Sequence, residues 1–199
     1  MSAAAPSRLD RQREMLSNAA KQRPCRIVIG ASGFFDPGWI PTDIDLLNLL
    51  KPEQWTRYLG DGSVDALLAE HVWEHLPADK AVIAARTCHR FLRPGGYLRA
   101  AVPDGFHPDP AYIDWVKPGG VGPGCEDHHV LFNHRTFAAV FQSAGFEVRL
   151  LEFFDETGRF HFTDWDIAGG KIGRSARFDE RNTGGKLSYT SLILDAIKR

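Results

Sequence analysis

This chain of 199 residues predicts a single-domain α/β fold built on parallel strands. An apolar run at 64–69 ends in the polar elbow Glu70-His71-Val72-Trp73-Glu74-His75-Leu76. A helix-length interval then leads to Leu92-Arg93-Pro94-Gly95-Gly96, and a second apolar run begins at Tyr97. Strand, elbow, helix, turn and strand in that order form a βαβ unit, which joins parallel strands. Open α/β sheets bind ligands at the carboxyl ends of their strands, so the elbow marks the expected site. With 43% hydrophobic residues, the length suits one well-buried domain and is short for two.

Residues 7–21 are rich in helix formers and carry a thin apolar stripe of Leu9, Met15 and Leu16, so 1–22 is expected to be a covering helix ahead of a domain at 23–199. Arg23-Pro24 ends that helix, and the β-branched run 26–29 is a strand closing on Gly30-Ala31-Ser32-Gly33. After the turn Asp36-Pro37-Gly38, residues 39–44 read as a second strand that ends on Asp43 and Asp45. Only about ten residues separate these strands, too few for a full crossover helix. Residues 46–58 are expected to be helical, Asp61-Gly62 to turn, and 64–69 to be a buried central strand. Residues 78–91 have amphipathic helix spacing and stop at Pro94-Gly95-Gly96, and 97–102 follow as a strand. The Pro/Gly-rich stretch 106–124 is long enough to be functional. A helix at 135–144 closes on Gly145, strands follow at 147–154 and 187–197, and the charged excursion 155–186 lies between them as a hairpin or a substrate cap.

Net charge is -1 and no basic cluster recurs, which argues against a nucleic-acid surface. No apolar run approaches the roughly 20 residues that a bilayer requires. Cys25, Cys88 and Cys125 are odd in number and far apart, and residues 2–5 lack a signal-peptide core, so a cytoplasmic protein is expected, as a monomer or homodimer.

Four segments in order, Gly38-Trp39-Ile40-Pro41-Thr42-Asp43-Ile44, the elbow, Leu92-Arg93-Pro94-Gly95-Gly96 and Ala144-Gly145-Phe146, resemble the class I S-adenosylmethionine-dependent methyltransferases over residues 25–198. The resemblance implies a Rossmann-like fold: a mostly parallel twisted sheet with an antiparallel last strand and helices on both faces. It implies S-adenosylmethionine as cofactor, with the methionine end against Gly30, Ala31, Ser32 and Gly33. Asp43 would accept both ribose hydroxyls, with Asp45 as the fallback. Asp61 and Gly62 match the position at the adenine edge, and Glu70 and His71 border the methionine chain. The usual Gly-x-Gly-x-Gly is here Gly30-Ala31-Ser32-Gly33, preceded by Ile29 in place of an acid.

The acceptor is expected to be a small polar molecule bound by the long loop and the excursion. His129, ahead of an apolar Val-Leu-Phe run, is the candidate base, with Asn133 as its hydrogen-bonding partner and His71 beside the sulfonium. Tyr112 and Trp115 would line the pocket, and Arg174, in a series with Arg177 and Arg181, would take an anionic group.

His71-x-x-Glu74-His75 also matches the inverted zinc-peptidase pattern. The strand end at His71 and the helix at His75 keep the pair off one helical face, so no metal is expected there. A cluster of Cys125, Asp127, His128 and His129 offers adjacent ligands with poor tetrahedral geometry. Three alternatives remain: aminocarboxypropyl chemistry releasing methylthioadenosine, an epimerase-like or reductase-like dinucleotide binder reading Gly30 and Gly33, and a non-catalytic partner protein. The dinucleotide reading lacks Tyr-x-x-x-Lys and carries Asp36 where a third glycine belongs.

Overall fold

The computed structural model describes residues 7–19, 21, 23–33 and 35–199. The leader reading at 2–5, and Phe34 in the dinucleotide-like motif, lie outside the described residues. Helix α1 (Arg8–Ala19) turns Leu16 into the main core. Strand β1 (Arg26–Ile29) pairs in parallel with β2 (Ile40–Pro41) and with β3 (Val64–Glu70), and β3 pairs in parallel with β4 (Leu92–Pro103). Helix α2 (Pro52–Trp55) lies between β2 and β3, and α3 (Ala81–Phe91) lies between β3 and β4. After β4 come α4 (Pro110–Val116), α5 (His134–Ser143), β5 (Glu147–Phe154), β6 (Phe160–Phe162) and β7 (Ser191–Ile197). The sheet order is β2-β1-β3-β4-β7-β5-β6, with β7 antiparallel to β4 and β5, and β6 antiparallel to β5. Five strands thus share one direction, and the last strand runs against them as expected. No helix among the described residues is long and apolar enough to cross a membrane.

Because strand side chains alternate, each strand feeds two cores. Ile27, Ile29, Leu67, Ala69, Leu98, Ala100, Leu192 and Leu194 pack against Trp55, Phe91, Phe137 and Phe141 from α2, α3 and α5. On the opposite face Val28, Ala66, Leu68, Ala101 and Ile193 meet Trp39, Trp165 and Ile172. Among the described residues no α-helix contributes to this second cluster, so the excursion between β6 and β7 supplies the layer where a second set of helices was expected. Burial on both faces explains why β3 reads as an almost unbroken apolar run.

Buried polar groups anchor this irregular layer. Arg99, 4% exposed, grips the Asp195 carboxylate through Nε and Nη2 at 2.8 and 3.0 Å. Its Nη1 donates to the carbonyls of Asp166 and Gly170. The guanidinium also lies 4.9 Å from the Trp165 ring centroid. Buried Glu152 accepts from the Trp165 indole and the Ala176 amide, both at 2.8 Å. Burial favours the protonated form of Glu152 and raises its pKa.

Three elements differ from the sequence expectation. The second strand is only two residues long, because Pro41 has no amide to donate and the ladder passes to Thr42, whose amide and hydroxyl both reach the Val28 carbonyl. Helix formation at 46–58 shrinks to one turn, since Pro52 forces Lys51 out of helical geometry and starts a new helix at its own position. Pro94-Gly95-Gly96 lies inside β4 as an irregularity, where pairing jumps from Val64↔Leu92 to Ala66↔Tyr97. A Cβ on Gly96 would stand 3.0 Å from two backbone carbonyl oxygens, so any larger residue would crowd this irregularity.

Candidate functional site

At the carboxyl ends of β1 and β3 the chain encloses a cavity of about 840 Å3. One wall is the turn after β1: Gly30 at φ +65°, Ala31, and Ser32 at φ 44°. A Cβ on Gly30 would lie 2.8 Å from the Val72 side chain, so the turn and the elbow are in contact only because this residue is glycine. The Ala31 amide donates to the Thr42 carbonyl at 2.9 Å, tying the turn to the segment after β2. His71, at φ 56°, is the other non-glycine residue with positive φ among the described residues, and it too lines the cavity. Backbone held in this region is costly and concentrates where a site needs it.

The elbow carries the polar floor. Glu70 accepts from the amides of Gly173 and Arg174 at 2.9 and 2.8 Å, which binds the excursion to the end of β3. His71 Nε2 is 2.9 Å from Ser191 Oγ at the start of β7, and its amide donates to the Ala101 carbonyl. Glu74 is fully buried, with Oε1 3.2 Å from His71 Nδ1. That approach is close but not aligned as a hydrogen bond, and both carboxylate oxygens lack a partner. Burial pushes the Glu74 carboxyl up to about 8 and the His71 imidazole well down.

The facing wall holds Lys171, Arg174, Arg181 and Tyr189, with Trp115, Cys125, His75 and His128 toward α4. Arg181 is bidentate to Asp179 at 2.8 and 2.6 Å and lies 3.4 Å from the Tyr189 ring centroid. Arg174 is less committed, its guanidinium 3.9 Å from Glu70. The buried Cys125 thiol donates to the Trp115 carbonyl at 2.8 Å.

Of the sequence-derived candidates, Gly30, Ala31, Ser32, Glu70, His71, Trp115 and Arg174 come together on this cavity. Gly33 continues the same turn at φ +98°. Asp43 and Asp45 do not line it. They border a smaller hollow with Arg8 and Gln12, and Asp43 Oδ1 accepts from the Ile44 amide. Asp61 and Gly62 precede β3, at the opposite end of the sheet from the cavity, where Asp61 pairs with Arg90 Nε at 2.8 Å and the Gly62 amide donates to the Arg90 carbonyl. Tyr112 is buried beneath the site, its hydroxyl donating to Thr190 and accepting from the Asp104 amide. Asn133 caps α5 through the amides of Arg135 and Thr136, a capping role that leaves its carbonyl oxygen occupied. His129 is exposed, and its amide is spent on the Glu74 carbonyl at 2.7 Å.

Several lining residues escaped the sequence reading, among them Lys171 on the facing wall. His128 takes the place expected for His129, because adjacent residues of an extended segment point to opposite sides. Asp36 lines the cavity from the turn after β1, and Tyr189 from the end of the excursion. The only sequence signal for Asp36 was its place within the Gly-rich turn.

Residues 51–100, from α2 through the first part of β4, match the family described as "Methyltransferase domain". A search of curated proteins finds no match. Among solved structures, a SAM-dependent methyltransferase from Archaeoglobus fulgidus is similar at 14% identity over 94% of each chain, with a TM-score of 0.52. A SAM-dependent methyltransferase of Thermotoga maritima, described as a possible histamine N-methyltransferase, also scores 0.52 at 14% identity, over 94% of this chain and 89% of that one. At such identity these likenesses establish the fold.

Proposed function

From the premise that this chain has the class I S-adenosylmethionine-dependent methyltransferase fold and a methyltransferase-domain match, we propose that it binds S-adenosylmethionine in the cavity above β1 and β3 and methylates a small polar acceptor carrying a carboxylate or phosphate. The observation that carries the proposal is the cavity itself. Its 840 Å3 lies in the upper part of the roughly 300–1,000 Å3 range of ligand pockets, room for a cofactor and a small second molecule. It also lies where this architecture binds ligands.

The residues present fit the cofactor. The glycine turn leaves a cradle that a Cβ on Gly30 would fill, and small residues there allow close backbone approach to the aminocarboxypropyl arm. Asp36 lines the same wall, and its carboxylate can accept from both ribose hydroxyls, which favours it over Asp43 for that part. When bound, the cofactor supplies an electrophilic methyl group. The protein's part is alignment and exclusion of water. Glu70 clasps Gly173 and Arg174 so that the excursion covers the cavity, and His71 joins the elbow to β7 through Ser191. Holding two reactants in line in this way contributes several kcal/mol to such displacements. Arg174, with Lys171 beside it, offers the acceptor's anion a positive wall. Three unpaired, buried cysteines support placement in a reducing compartment.

The test is product analysis. Purified protein incubated with S-adenosylmethionine and a metabolite extract is expected to form S-adenosylhomocysteine and a methylated small anion, resolved by mass spectrometry. Enzyme-dependent methylthioadenosine without S-adenosylhomocysteine would overturn methyl transfer while leaving the cofactor site in place.

A further inference from the structure

On the side of the cavity facing α4, the fold gathers three side chains that the alignment role does not use. One ligand atom each from Glu74, His75 and His128 lies within 4.8 Å of the other two. They come from different places: the single 3-10 turn Trp73–His75 after β3 supplies the first two, and the loop after the turn Cys125–Asp127 supplies the third. The two imidazoles meet edge to face, with ring centroids 4.7 Å apart.

Glu74 is the independent sign that something belongs there. It is fully buried and neither carboxylate oxygen has a hydrogen-bond partner among the described residues. A buried carboxyl group left without a partner is costly, and coordination to a metal is one way to satisfy it. The histidines are oriented as metal ligands commonly are. His128 Nδ1 sits 2.7 Å from the Val116 carbonyl and must be the N–H donor, which leaves Nε2 with its lone pair free. The His75 ring meets the His128 ring edge to face, which sets its direction from the side. A second nitrogen held by a backbone carbonyl fixes tautomer and ring direction in ligating histidines.

We propose that Glu74, His75 and His128 form a three-ligand site for a divalent first-row transition metal of the zinc type, with its remaining coordination position open to the cavity. Two imidazoles and a carboxylate are the donor set of catalytic zinc centres, and imidazole selects against magnesium and calcium. Tetrahedral ligands at about 2.0–2.1 Å from zinc stand about 3.3 Å apart, so ligand atoms that lie within 4.8 Å of one another close by at most about 1.5 Å. His128, on a loop and only half-buried, has the most room to make that move, by pivoting about its hydrogen bond to Val116. His75 and His128 line the cavity, so the open position faces it and reaches a hydroxyl, thiol or amine bound there. This set was not legible in the sequence, where no metal was expected at the elbow, because it combines two residues of the peptidase-like elbow with one from the distant His128 segment.

The experiment is zinc binding to full-length protein purified without a histidine tag and stripped with chelator. Isothermal titration with zinc chloride is expected to give one equivalent, unaffected by millimolar magnesium. Cobalt is expected to bind with the visible absorption of a tetrahedral centre. His128→Ala and Glu74→Gln should each weaken zinc binding at least tenfold. Circular dichroism checks the fold, and if Glu74→Gln does not fold, His128→Ala carries the test. Less than stoichiometric zinc, displacement by magnesium, or unchanged affinity in folded His128→Ala overturns the proposal. None of these readouts needs methyl transfer, so failure here and failure of the methyltransferase reading are separate results.

Discussion

Gly30→Ala tests the cofactor cradle at a single methyl group. At φ +65° an alanine loses about 1–2 kcal/mol relative to glycine. Its Cβ would also stand 2.8 Å from Val72 Cγ2, and overlap of that kind adds roughly 1–3 kcal/mol. Valine is stiff at χ1, so relief comes from moving the backbone of the turn or of the elbow, and both face the cavity. If about 2 kcal/mol of this appears as lost affinity, the dissociation constant for S-adenosylhomocysteine rises roughly 30-fold, because 1.4 kcal/mol is tenfold. Gly38→Ala is the matched control. That residue also has positive φ, +86°, but nothing lies within 4 Å of an added Cβ and it does not line the cavity. It should lose stability through φ alone and keep its affinity within about twofold. Calorimetric titration of both variants, with melting curves, reads the difference. A folded Gly30→Ala protein that binds as tightly as the parent, or a Gly38→Ala protein that loses as much, would refute the cradle.

Asp36→Asn should weaken cofactor binding by about 1.5–3 kcal/mol, the scale of hydrogen bonds to a charged group, whereas Asp43→Asn should leave it unchanged; the reverse result in the same titration would restore Asp43 to the ribose. Arg99→Met removes one partner of a buried ion pair and leaves Asp195 and two carbonyls unsatisfied, so urea unfolding should show a loss of about 3–5 kcal/mol, and a loss below about 1 kcal/mol would mean that the excursion is held by other contacts. Asp65 accepts from Arg23, Arg93 and the Cys25 amide, which together hold its carboxyl down at about 2 despite partial burial. Its folded-state pKa lies below its unfolded value, so its contribution, at most about 2 kcal/mol after screening, is fully present above pH 4 and is lost as pH falls toward 2. Denaturation curves for Asp65→Asn should therefore have a shallower pH dependence in that window than the parent.

The strands that position the site were legible because burial writes itself into their sequence. Residues 64–69 form a near-continuous apolar run since both faces of β3 are covered, and Arg26–Ile29 and Glu147–Phe154 carry β-branched or aromatic residues up to clear turn signals. The α5 boundaries were readable from Asn133 at one end and Gly145 at the other. Loop geometry was not legible. His128 and His129 are chemically identical neighbours, and only the extended backbone at His128 decides which of them faces the cavity. The covering of the second face by residues 164–178 rests on Arg99, Glu152 and Glu70, tertiary anchors whose partners lie as much as 104 residues away. No local periodicity records such contacts. The position of Asp43 was illegible for the same reason, since the two-residue β2 ends early and Asp43 borders a different hollow.

The central claim is that the cofactor occupies the space between the turn after β1 and the elbow after β3, beneath the excursion. Hydrogen exchange with and without saturating S-adenosylhomocysteine tests it directly. Slowed amide exchange is expected in segments 30–33, 70–75 and 171–174, with little change at 43–45 and 61–62. Binding that protects 43–45 or 61–62 and leaves 30–33 and 70–75 at their free rates would contradict the account.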